Sequence, residues 1–166
     1  NDFGGRGAWY QGVKLALFDI SGLSSPLELD SRVIGKRGTE SDVLYDHHAL
    51  AYIPPAGTGE PAKLAIPIRL HDTPISADWF DPARPDTYYE WTHTGLYLFE
   101  IDSEQIQQAG KMVVADRTAG DDPMMQPFWH ASNDRAVIHD GSIHYIHSGR
   151  IWSGRPWCGR ACPIRA

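Results

Sequence analysis

Cysteine is nearly missing from this 166-residue sequence: only Cys158 and Cys162 occur, both close to its end. A cysteine-closed metal site would want more ligands than the neighbouring Gly159, Arg160 and Ala161 offer, so the pair reads as a small disulfide loop suited to an oxidising compartment. Positive charge is also short, with 15 Lys and Arg against 21 Asp and Glu and a net charge of −6. That balance disfavours a nucleic-acid surface and leaves no polybasic patch for anionic lipid. The apolar runs are only a handful of residues long, which excludes insertion of a membrane-spanning helix. No Gly-x-Ser-x-Gly elbow supports a serine nucleophile, and Gly4-Gly5-Arg6-Gly7 lacks the Lys-Ser/Thr of a phosphate cradle. No cofactor is expected from these absences. The sequence opens on Asn1-Asp2-Phe3 without an initiator Met or a signal peptide, so the expectation is a removed leader or a piece of something longer.

Turn formers and aromatics are plentiful instead: 16 Gly, 12 Pro, six Trp and seven Tyr in a chain that is 42% hydrophobic. Such a composition suits a turn-dense β protein with a real core. Residues 1–11 read as an irregular lead-in, 12–153 as the strand-bearing region and 154–166 as an irregular tail. The organising stretch is 42–68. His48 to Tyr52 and Leu64 to Ile68 read as strands, and Pro54-Pro55-Ala56-Gly57-Thr58-Gly59 between them can only be loop. Val13 to Ile20 reads as a strand, and so does Leu27 to Ile34, with Leu27, Leu29 and Val33 leaning inward and a bulge or strand end near Ser31 where the alternation slips. Trp91 to Ile101 and Gly110 to Val114 continue the pattern. Arg135 to Ile138 and Ile143 to His147 flank Asp140-Gly141, a strong type I′ hairpin signal, and another strand begins at Gly149. The polar insertion 69–90 carries Trp79, Phe80, Tyr88 and Tyr89, and reads as a loop whose aromatics plug its own base.

Leu15-Ala16-Leu17-Phe18-Asp19-Ile20 returns 81 residues later as Leu96-Tyr97-Leu98-Phe99-Glu100-Ile101. Asp46-His47-His48-Ala49-Leu50 has a looser echo in Asn133-Asp134-Arg135-Ala136-Val137. Recurring antiparallel meanders of this kind mark a β-propeller, with a period of one blade lengthened by insertions. The runs Gly12 to Ser21, Val33-Ile34-Gly35, Leu44 to Leu50, Leu64 to Ile68, Gly95 to Phe99 and Arg135 to Gly141 resemble a family of secreted β-propeller proteins distantly related to WD40 repeats. The resemblance covers most of Gly12 to Trp152 and departs in the insertion and the tail. It implies an all-β, extracellular or periplasmic partial propeller of about two blades plus part of a third, and the C-terminal part of a longer member. It names no catalytic residue. A ring needs at least four blades, so the expected partners are the remaining blades, from the same precursor or from another chain.

Asp46-His47-His48 is the sharpest chemical feature. A carboxylate and an imidazole suit a divalent metal, yet neighbours on a strand point to opposite faces, so Asp46 and His48 are the candidates, joined by His139 and His144 from the last hairpin. A metal-binding or hydrolytic propeller would use this set. The competing reading is a hydrogen-bonded tie between strands, as polar groups inside a blade must be paired. Partner contacts are expected from the loops 69–90 and 115–126, and Trp79, Phe80, Tyr88 and Tyr89, with Trp129 just beyond the second loop, are the candidate partner-contact aromatics.

Overall fold

The computed structural model describes residues 9–117 and 133–155. Among these residues, nine strands form three consecutive antiparallel meanders. β1 (Val13–Asp19) pairs with β2 (Leu27–Ile34). β3 (Ala51–Ile53), β4 (Ala62–Thr73), β5 (Glu90–Ile101) and β6 (Ile106–Asp116) make a complete four-stranded sheet. β7 (Arg135–His139), β8 (Ser142–His147) and β9 (Arg150–Gly154) make the third. Within the described residues the strands are thus distributed as one four-stranded blade between a two-stranded and a three-stranded sheet.

The central sheet is apolar on both faces, and alternation along its strands sorts the side chains into two cores. Ile66, Ile68, Leu70, Tyr97, Phe99 and Ile106 face the first sheet, where Val13 and Ile34 meet them with Leu15 and Leu17 alongside. Ala65, Leu96, Leu98 and Met112 face the third sheet and pack on Ala136, Ile143 and Tyr145. A sheet sandwiched between two others in chain order is the arrangement of successive blades. Polar contacts pin the stack: Asp30 accepts the Ile106 amide at 2.7 Å across the first interface, and Asp42 accepts the Asp134 amide at 2.8 Å across the second.

The sequence repeat has a geometric counterpart. β1 and β2 shift register between Leu17 and Phe18, and β5 and β6 shift between Leu98 and Phe99, the matching step of the repeated motif. Each bulge adds one residue to the partner strand, Leu29 and Ala109 respectively. The slip expected near Ser31 is therefore a bulge, placed two residues earlier at Leu29. With it the expected facing of β2 fails: Leu27, Leu29 and Val33 are 62%, 40% and 60% exposed. The register puts Asp30, Arg32 and Ile34 opposite Leu17, Leu15 and Val13 on the inner face, so the charged residue Asp30 turns inward to bind an amide.

Two further boundaries differ from expectation. β4 continues through Arg69 to Thr73, where Glu40 bridges Arg69 and the strand pairs with Glu90 to Thr94. The polar stretch outside strands shrinks accordingly to 74–89. His48 is not in a strand: Asp46 caps a one-turn 3-10 segment, His47–Ala49, by accepting the His48 amide at 2.9 Å, and β3 begins only at Ala51. An Asp side chain offering a local bond to the backbone two residues on outcompetes the strand ladder there. The Asp140-Gly141 turn forms as expected, with φ of 46° and 68°.

Candidate functional site

Three polar clusters stand out, and the first is the turn before β3. With His47 and His48 on a 3-10 turn, the opposite-face argument no longer holds. Their rings lie 4.0 Å apart between centroids, and one ligand atom each of Asp46, His47 and His48 falls within 4.8 Å of the others. Both imidazoles are exposed and Asp46 is half-buried. The Asp46 carboxyl is held below its ordinary range, chiefly by the His48 amide and further by the Arg135 guanidinium, whose Nη2 sits 2.5 Å from Oδ2.

His139 and His144 are not brought to that turn. They sit diagonally on the outward face of the third sheet, His139 opposite Ser142 and His144 opposite Val137. Arg135, which does reach Asp46, lies four residues up β7 from His139, about 13 Å along an extended strand. His144 is instead hydrogen-bonded through Nδ1 to the Ser153 hydroxyl at 2.7 Å. The four-residue metal set read from the sequence therefore separates, and His47 takes the place beside Asp46 and His48.

The second cluster is built on Asp134, just before β7. Its carboxylate accepts the Tyr145 hydroxyl at 2.5 Å and lies 2.9 Å from His147 Nδ1. Tyr145 is fully buried, and burial beside this carboxylate drives its phenol well above the ordinary range. The His147 ring stacks on Tyr145 and lies near Trp152. Here is an Asp–His tie of the kind expected inside a blade, half-buried and supplied by Asp134 and His147, not by Asp46. An acidic residue one position ahead of a strand and a histidine on the next strand was the available signal.

The third cluster lies under the insertion. Arg37 is 6% exposed, with its guanidinium carbon over the rings of Trp9 and Tyr88 at 4.1 and 4.2 Å. Its hydrogen bond to Tyr88 lowers that phenol's pKa, while Nε and Nη1 of the guanidinium find no partner among the described residues. Cation–π contact with two faces compensates part of the desolvation of such a charge. Nothing in the local sequence singled out Arg37, since its partners lie on distant segments.

The insertion's aromatics divide. Phe80 and Tyr89 meet edge to face at 5.3 Å, and the Tyr89 carbonyl takes His71 Nδ1 at 2.8 Å, so this part does plug its own base. Trp79 is 67% and Tyr88 48% exposed. Trp129, Cys158 and Cys162 lie outside the described residues, as does most of the loop 115–126.

No curated protein and no solved structure matches the chain. A family profile described as a beta propeller domain does match, over residues 2–156. With three meanders stacked in chain order and a match spanning nearly all of the sequence, the chain belongs to the beta propeller domain family.

Proposed function

We propose that this chain is an arc of a propeller that serves as a binding and structural module, completed by further blades from the same precursor or from another chain. The observation that carries the reading is the contrast between the sheets. The central sheet is covered on both faces, whereas the outer face of the first sheet exposes Phe18 and Val33, and that of the third exposes Val137 and Ile151. Apolar side chains on a sheet face ask for a neighbouring sheet. The sheet order adds a second argument. Among the described residues, matching β1–β2 to β5–β6 through the repeat leaves the first sheet short of two inner strands, and matching β7–β9 to β3–β5 leaves the third short of an outer one. Free strand edges are also templates for pairing.

Partner contact on the completed ring would then draw on the exposed Trp79 and Tyr88 of the insertion, since loops on a rigid scaffold carry recognition. An extracellular or periplasmic setting accompanies this reading. The test is amide hydrogen exchange on β1 and β9, comparing the isolated chain with the protein purified from its natural source. Protection of both edges only in the natural protein is expected, and its composition identifies the source of the added blades: one longer polypeptide or a second chain. Equal exchange in the two preparations would refute the proposal.

A further inference from the structure

We propose that Asp46, His47 and His48 form a surface site for a divalent transition metal of the zinc type. Two neutral imidazoles and one carboxylate are a donor set that zinc accepts, with the remaining position left to water or an incoming ligand. The three donor atoms already lie within 4.8 Å of one another. A tetrahedral zinc with bonds of 2.0–2.1 Å needs donors about 3.3 Å apart, so the closure required is small. The exposed imidazoles can supply most of it, with a small shift of the Asp46 carboxylate, while the backbone beneath them is fixed: the Asp46 carboxylate accepts the His48 amide through Oδ1 and caps the turn. Preorganisation of that kind is what separates a site from two histidines that happen to be adjacent in sequence.

Arg135 sets the competing interaction. Its guanidinium holds Asp46 Oδ2 at 2.5 Å and places a positive charge beside the incoming ion. Metal binding therefore draws the carboxylate partly away from Arg135, and removing that charge should strengthen binding. A purely structural Asp–Arg tie would show no such response.

The experiment titrates zinc chloride into the full chain at neutral pH while following the imidazole carbon-bound protons by NMR. Of the eight histidines, His47 and His48 are expected to shift first, saturating at one equivalent. His47→Ala and His48→Ala should each weaken zinc binding at least tenfold, as should Asp46→Asn, and Arg135→Gln should tighten it several-fold, with thermal melts confirming that every variant is folded. Saturation of other histidines before these two, or full zinc affinity in folded His47→Ala or His48→Ala, would overturn the site. Full affinity in Asp46→Asn, or unchanged or weaker binding in folded Arg135→Gln, would overturn the role given to Asp46.

Discussion

Leu98 and Phe99 are neighbours on β5 that point into different cores, and truncating each separately tests whether the central sheet is covered on both sides. Leu98 is 3% exposed and packs in the core shared with Ala136, Ile143 and Tyr145. Phe99 is 2% exposed and packs in the core shared with Val13 and Ile34. Leu98→Ala should cost about 2–5 kcal/mol and Phe99→Ala about 3–5 kcal/mol, the transfer of the lost atoms plus the cavity left behind. Val33→Ala on the exposed outer face of the first sheet should change stability by no more than ~0.5 kcal/mol. Urea unfolding followed by tryptophan fluorescence measures all three. For cores too weakened to fold, Leu98→Val and Phe99→Leu give scaled-down versions of the same comparison. In an ordinary half-solvated sheet one of two adjacent strand residues faces water, so a cost below ~1 kcal/mol for either would refute the double coverage on which the blade assignment stands.

The Asp134 cluster should behave as a coupled unit. Tyr145→Phe removes a hydrogen bond to a charged acceptor and should cost about 1.5–3 kcal/mol; a double-mutant cycle with Asp134→Ala should return a coupling of at least ~1 kcal/mol, and additive losses would show that the tie is unimportant. The pH dependence has a definite sign. Burial lowers the pKa of His71 below its ordinary 6.5 despite its bond to the Tyr89 carbonyl, and burial, helped by the Lys111 ammonium, lowers that of His93. The unfolded chain then binds more protons than the folded one, so their contribution is complete above pH ~6.5 and is lost as pH falls towards the depressed folded values. Melting temperatures should drop through this window, and His71→Asn with His93→Gln should flatten the slope; a slope unchanged in the double variant would contradict the assignment.

Local signals carried much of the architecture. Alternation at Leu15 and Leu17, the motif shared by β1 and β5, and the Asp140-Gly141 turn are short-range patterns, and each stands where the sequence puts it. What escaped depends on tertiary partners. Leu27, Leu29 and Val33 look like an inward row only without the bulge at Leu29 and without the Ile106 amide that draws Asp30 in. The polar run Arg69 to Thr73 resembles loop until Glu40 and Glu90 to Thr94 pair with it. At the candidate site the residue types were visible and their grouping was not. The cap made by Asp46 converts an apparent strand into a turn and brings His47 alongside His48, whereas His139 and His144 stay on the outward face of the third sheet. Arg37 depends on Trp9 and Tyr88, which only the fold brings together.

A distance across the stack is the most direct test of successive blades. Spin labels at Lys14, on the outer face of the first sheet, and at Val137, on the outer face of the third, can be introduced after replacing Cys158 and Cys162 with serine. Two intersheet spacings of ~10 Å each put the terminal sheets up to ~20 Å apart, and labels pointing outward from both lengthen the distance, so a label separation near or beyond ~20 Å is the predicted result. A separation near ~10 Å, which requires the first and third sheets to face each other directly, would contradict it.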